Sequence, residues 1–222
     1  MLVQILNVLR SERRATLAGV SEGLPEIILA SGSPRRRELL AGLGLTFRIK
    51  PADVDETPQS GEAPDALVAR LSGAKAETVA KTQPDALVIA ADTVVVVDGD
   101  ILGKPKDERE NRRFLERLSG RAHSVYTGHS LMYGPELGTK VVASKVRFRA
   151  LSALELDWYV ATGEGLDKAG GYGIQGKGAA FIPYIEGCYF NVMGLSVSAV
   201  VTTAADLGLK LLEPSGMGVG RV

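Results

Sequence analysis

Between Ala86 and Val97 the chain reads Ala-Leu-Val-Ile-Ala-Ala-Asp-Thr-Val-Val-Val-Val, and no other stretch constrains the fold so tightly. Leu87 to Val97 is dominated by β-branched residues, which predicts a buried strand. Asp92 interrupts it. A carboxylate in such a run needs a partner, a metal ion or exposure at a strand end. A hydrogen-bonded turn or bulge at a sheet edge is the alternative to a metal or catalytic role.

The segments around this strand alternate in type. Ile27 to Ala30 reads as a short buried strand, and Ser31-Gly32-Ser33-Pro34 as a turn opening a helix. Ser33 takes the N-cap and Pro34 the first helical position. Leu39, Leu40 and Leu43 give that helix one apolar stripe, and Gly44 ends it. Strand is predicted over Phe47 to Val54, helix over Asp65 to Lys81, and a hairpin turn at Asp98-Gly99-Asp100. Asp107 caps a helix running to Leu118. His123 to Tyr133 and Val141 to Ala150 read as strands. Ser152-x-x-Glu155 is a capping box before a helix holding Trp158 and Tyr159. A glycine-dense loop, strand around Ala179 to Ile185 and a last helix over Val197 to Leu207 complete the pattern. Helices interleaved with strands predict an α/β domain, and the hairpin makes its sheet mixed.

Bulk numbers restrict the function. The 222 residues fit one large domain or two small ones, and 45% hydrophobic residues allow a sizeable core. Lys+Arg and Asp+Glu both total 26, so nothing draws the chain at long range to nucleic acid or an anionic membrane. No apolar run approaches a membrane span of roughly 20 residues. One cysteine, Cys188, allows no internal disulfide and fits a reducing compartment, so a cytoplasmic location is expected. Two histidines and one cysteine disfavour a Cys/His zinc site, and a metal bound by carboxylates would be Mg²⁺ or Mn²⁺. Residues 1–26 read as an N-terminal extension, an amphipathic helix or a misassigned start, ahead of a single domain over 27–222.

Four polar features break local rules. Arg35, Arg36 and Arg37 stand in the first turn of a helix, where the dipole disfavours cations and free N–H groups point outward. That combination makes an anion site suited to a phosphate chain, or else a solvated basic turn. Asp92 is the second feature. Lys75 is the third: it lies on or beside the apolar face formed by Leu67, Val68, Leu71, Ala74 and Val79. Position alone favours a side chain that snorkels to solvent over one buried near phosphates. The fourth is the loop from Gly163 to Gly178, whose glycines permit close backbone approach to a ligand or simply tight turns. Lys104, before Pro105, reads equally as a phosphate contact or a surface lysine. Glu56 follows Asp53 and Asp55, and a solvated charge run is the favoured reading there. No Walker or dinucleotide-binding glycine motif is present, and His123 and His129 receive no role.

The stretches LASGSPRRRELL (Leu29 to Leu40), DVDE (Asp53 to Glu56), AADTVVVVDGDILGKPK (Ala90 to Lys106), LSGRAHSVYTG (Leu118 to Gly128) and TGEGLDKAGGYGIQGKGAAF (Thr162 to Phe181) resemble, in this order, the Maf family of nucleotide pyrophosphatases. The resemblance runs from about Ile27 to about Leu207. It implies a Maf or inosine triphosphate pyrophosphatase-like fold: a mixed twisted sheet flanked by helices, with a deep substrate cleft. It also implies cleavage of a nucleoside triphosphate between the α and β phosphates with a divalent metal, Mg²⁺ or Mn²⁺. The implied catalytic positions are Arg36, Glu56, Lys75, Asp92 and Lys104, with Glu56 and Asp92 as metal ligands and Ser31 and Ser33 in the phosphate-facing loop. Arg35, Thr93 and Gln175 mark base preference and resemble the branch acting on dTTP and UTP. The branch acting on 7-methyl-GTP carries tryptophan, glutamine and glutamate there. Gln175 suits a pyrimidine edge because an amide both donates and accepts.

Gly165, Cys188 and Ser196 depart from the family's common pattern and predict looser loops beside the pocket. The resemblance also makes a homodimer reasonable. The rival readings are the same chemistry on another or a modified base, a non-enzymatic nucleotide-binding regulator of septum formation, and a nucleic-acid-binding module. Zero net charge and 5% aromatic residues disfavour the last.

Overall fold

The computed structural model describes residues 23–212. Most of the expected N-terminal extension, residues 1–22, lies outside the described residues. The described chain runs β1 (Ile27–Leu29), α1 (Pro34–Ala41), β2 (Arg48–Ile49), α2 (Pro64–Ala80), β3 (Leu87–Val97), β4 (Asp100–Leu102) and α3 (Glu108–Leu118). It continues with β5 (Ala122–Tyr133), β6 (Glu136–Arg147), α4 (Ala153–Val160), β7 (Tyr184–Glu186), α5 (Tyr189–Met193) and α6 (Val197–Asp206). Seven strands form one sheet in the order β2-β1-β3-β5-β6-β7, with β4 added beside β3. β2, β1 and β3 are parallel, and the other pairs are antiparallel, so the sheet is mixed as expected.

β3 is the axis of the fold. One edge pairs with β5 from Val88 to Val96. The other edge pairs first with β1, from Leu87 to Ile89, and then with β4, from Val95 to Val97. Between those partners no strand among the described residues lies on that side, and the sheet opens there.

Alternation sends β3 side chains to opposite faces. Val88 and Ala90 pack with Ile28, Ala76 and Val79 under α2. Val94 packs with Leu67, Val68 and Leu71 further along the same helix. On the other face Leu87, Ile89 and Ala91 join Leu40, Leu195 and Val200. Val95 and Val97 join a second cluster around Leu115, Phe148 and Tyr159. Each fully buried Val, Leu, Ile or Phe side chain of these clusters contributes about 1.5–3 kcal/mol. Asp92 and Thr93 fall between the clusters, one on each face, where the sheet also loses its edge partner. The two polar residues of β3 therefore mark a seam rather than a defect.

Local signals explain the turns. Asp98 and Gly99 have φ of 52° and 83°, the left-handed pair that a tight hairpin between β3 and β4 demands. Asp107 accepts from the Glu110 N–H, and Ser152 with Glu155 completes a capping box. Ser33 occupies the N-cap of α1, but its hydroxyl makes no cap bond.

Three expected strands differ. The strand from Phe47 shrinks to Arg48–Ile49, because Pro51 has no N–H to extend the ladder past Lys50. β6 begins at Glu136 rather than Val141, since pairing with β5 holds its polar first half in register. Lys177–Phe181 forms a 3₁₀ turn, and only Tyr184–Glu186 pairs with β6. The short helix Tyr189–Met193 was not expected; Gly194 ends it with φ 110°. Among the described residues no helix is long and apolar enough to cross a membrane.

Candidate active site

The opening beside β3 forms a cleft of about 730 Å³. Chain direction builds its walls. β1 runs into the loop of Ser31 and Ser33 and then into α1, so the N-terminus of that helix points at the gap in the sheet. α2 covers one face and carries Lys75; the glycine-dense segment covers the other and carries Gln175. All ten residues singled out from the sequence line this cleft: Ser31, Ser33, Arg35, Arg36, Glu56, Lys75, Asp92, Thr93, Lys104 and Gln175. Arg37, the third arginine of the basic turn, is exposed and outside the lining.

The strongest electrostatic unit is Lys75 with two carboxylates. Its ammonium lies 2.5 Å from Asp92 Oδ1 and 2.5 Å from Glu56 Oε1. Lys75 and Asp92 are each 8% exposed, so each needs the other's charge. The snorkelling favoured by position alone is overturned: Asp92, one strand away, holds the ammonium inside. Glu56 is likewise more than a member of a solvated charge run. Partial burial would raise its pKa, but the bond from Lys75 and the fields of Lys75, Lys104 and Arg36 hold it below the usual carboxylate value.

Arg36 fixes the opposite wall. Its guanidinium donates to the Gly194 carbonyl (2.8 Å), to Ser31 Oγ (3.1 Å) and to Thr93 Oγ1 (3.1 Å). These bonds join α1, the β1 loop, β3 and the end of α5. Burial lowers its pKa from the ordinary guanidinium value, partly offset by Asp92. Thr93 Oγ1 also bonds Thr127 Oγ1 at 3.0 Å, so its hydroxyl is engaged with protein on both sides. The uncapped first turn of α1 leaves N–H groups toward the cleft, and only Ser33 N–H is taken by Ser31 Oγ, at 3.3 Å.

Arg35 crosses to Asp167 (3.0 Å), a residue the sequence reading passed over. An acid in a glycine-dense loop opposite a basic turn was the available signal. The Gly194 carbonyl had no signal, since backbone acceptors leave no trace in side-chain pattern. Gly165, Cys188 and Ser196 are each packed or hydrogen-bonded in the structure. A side-chain carbon at Gly165 would stand 2.2 Å from the Gly171 carbonyl and 2.7 Å from Asn111, so glycine permits tight packing there. Ser196 caps α6, and Cys188 N–H bonds Ser144 Oγ at 3.0 Å.

The donors available to a metal are two carboxylates joined through one ammonium. No group of three or more His, Cys, Asp or Glu residues that could hold a metal lies among the described residues. Such a pair suits a hard cation that completes its shell with water and phosphate oxygens.

A model of the Maf-like protein family matches residues 26–207. The chain belongs to that family. A relative from Myxococcus xanthus, named dTTP/UTP pyrophosphatase, is 50% identical over 185 residues, covering 83% of this chain and 94% of its own. Another, from Syntrophus aciditrophicus and of the same name, is 52% identical over 185 residues, 82% and 90% of the two chains. Among solved structures, a HAM1 protein from Coxiella burnetii is 20% identical, with a TM-score of 0.41 over 71% of this chain and 91% of that one.

Proposed function

We infer that this Maf-like chain hydrolyses dTTP and UTP to the nucleoside monophosphate and pyrophosphate. The observation that carries the inference is the pairing, across one cleft, of a carboxylate–ammonium cluster with a guanidinium-lined helix N-terminus. The activity for which the relatives are named matches what that pairing can do.

A triphosphate laid along the cleft meets Arg36, Lys75 and Lys104, which neutralise its charge, and the open N–H groups of α1, which point at phosphate oxygens. Water attacks the α phosphorus in line. The bond to the bridging oxygen of the β phosphate breaks, and pyrophosphate leaves. Asp92 orients the water or takes its proton, and Glu56 lies close enough to share either task. The same two carboxylates fit Mg²⁺ or Mn²⁺, which would withdraw charge from the phosphates and acidify the water. Lys75 bonds both carboxylates, so with a cation held there its ammonium would be free to pair with the phosphates instead. Gln175 stands exposed at the far wall and faces a pyrimidine edge with one donor and one acceptor. Thr93 acts through Arg36, which its hydroxyl holds.

The test is pyrophosphate release from dTTP, UTP, CTP, ATP, GTP and 7-methyl-GTP with Mg²⁺ or Mn²⁺, for wild type and Asp92→Asn together. Release from dTTP and UTP, lost in a variant that melts normally, is expected. Turnover near the wild-type rate in Asp92→Asn would remove that residue from the mechanism. A folded wild type inert on every nucleotide would remove the enzyme.

A further inference from the structure

The glycine-dense segment that carries Gln175 is organised by a single carboxylate outside the cleft lining. Glu164 Oε2 accepts the Lys177 N–H at 2.8 Å. Its Oε1 accepts the Gly178 N–H at 3.2 Å and the Tyr159 hydroxyl at 2.9 Å. That hydroxyl in turn accepts the Gly173 N–H at 3.0 Å. Backbone groups on both sides of Gln175 thus end on Glu164 or on the hydroxyl it holds. The Gly176 N–H to Gly173 carbonyl bond (3.3 Å) closes the turn, with Gln175 inside it.

The glycines follow from this arrangement. A side-chain carbon at Gly176 would stand 2.5 Å from Glu164 Oε2, and one at Gly173 would stand 2.9 Å from Lys168 Cε and 3.0 Å from Glu164 Oε1. Neither glycine has a left-handed φ. At both positions glycine leaves room for neighbouring side chains to close over the turn, the Glu164 carboxylate among them. Burial opposes the charge on Glu164, and the N–H and hydroxyl donors outweigh it, holding its pKa below the usual value. The carboxylate therefore stays an acceptor for all its partners at neutral pH.

We propose that Glu164 is a positioning residue for base selection: it sets where Gln175 stands and so controls nucleotide preference without touching the nucleotide. The proposal rests on the reading of Gln175 as the residue facing the base. It separates from a general structural role because Glu164 should act only through Gln175. It should leave the grip on phosphate largely intact, since Arg36, Lys75 and Asp92 stand on α1, α2 and β3 and bond none of the groups that Glu164 holds.

The experiment compares wild type, Glu164→Ala, Gln175→Ala and the double variant. Affinities for UMP, GMP and pyrophosphate are measured by calorimetry, and kcat/KM for UTP against GTP is measured alongside. Glu164→Ala should lower the UMP-over-GMP preference at least tenfold and raise KM for UTP more than it lowers kcat. Pyrophosphate affinity should change less than twofold. The double variant should be no worse than Gln175→Ala alone, as expected for two residues acting in series. Tyr159→Phe keeps the ring but removes the hydroxyl between Gly173 and Glu164, and should move preference the same way by a smaller factor. It also serves if Glu164→Ala fails to fold. Unchanged preference in folded variants, an equal loss of pyrophosphate affinity, or additive losses in the double variant would each overturn the proposal. Binding needs no turnover, so a wild type that selects UMP yet hydrolyses nothing would sink the enzymatic reading alone.

Discussion

Gly128 is where the sheet sets the position of Lys75. It lies opposite Asp92 in the β3–β5 register. A side-chain carbon at Gly128 would stand 2.2 Å from the Val68 carbonyl oxygen, 2.5 Å from its carbon and 2.8 Å from Ser72 Oγ, all on α2. Ordinary contact begins near 3.4 Å. Gly128→Ala therefore requires α2 to withdraw by about 1 Å, because helix backbone cannot rotate aside as a side-chain tip can. Lys75 lies on the same helix, one turn past Ser72. Its bonds to Asp92 and Glu56, each 2.5 Å, should lengthen accordingly. Overpacking of this kind costs about 1–3 kcal/mol. For a domain of this size that is a fall in Tm of about 2–4 °C per kcal/mol. Misplacing a catalytic group by about 1 Å costs roughly a hundredfold in rate. Gly73→Ala is the matched control. It sits on α2, and its added carbon would meet Leu137 and Ser130 at 3.8 and 3.9 Å. That variant should be more stable by about 0.5–1 kcal/mol, as alanine is over glycine within a helix, with turnover unchanged. The assay is pyrophosphate release from dTTP with thermal melting of both variants. A destabilised Gly128→Ala with wild-type kcat/KM would show that the helix seat does not place Lys75. An unchanged Tm would refute the close approach itself.

Two further perturbations have worked signs. His123 and His129 are buried, and burial pulls both pKa values to about 4. His129 accepts the Ser196 N–H on Nε2 (2.7 Å), so it must be neutral there. The unfolded chain, near 6.5, binds more protons than the fold below that pH. Stability is therefore complete above about pH 6.5 and is lost as pH falls toward 4, by about 2 kcal/mol per histidine between pH 7 and 5. Melting across that window tests this, and a flat Tm would refute it; Glu62 and Glu155, held at about 2 by their arginine partners, add losses only at lower pH. Lys75→Met removes the cation between Glu56 and Asp92, so titration calorimetry without nucleotide should show Mn²⁺ binding at least tenfold tighter. Unchanged Mn²⁺ affinity would separate these carboxylates from the metal.

The sequence by itself determined what local chemistry can specify. The β-branched run made β3, Asp98-Gly99 made its hairpin, and Ser152 with Glu155 capped α4. Asp92 and the arginine turn were legible because each violates the rule of its own element. The tertiary structure decided what depends on partners far along the chain. Lys75 reads from its helix as a residue free to reach water, and only the arrival of Asp92 and Glu56 makes a buried ammonium stable. The first half of β6 is too polar to read as a strand, and exists because β5 lies alongside it. Glu164 resembles any loop acid until Gly173, Lys177 and Gly178 fold around it through Tyr159 and its own oxygens. Periodicity and turn chemistry act over a few residues. The charge pairs and borrowed backbone acceptors of this cleft join residues separated by anything up to 158 positions, and such pairings form only when the sheet assembles.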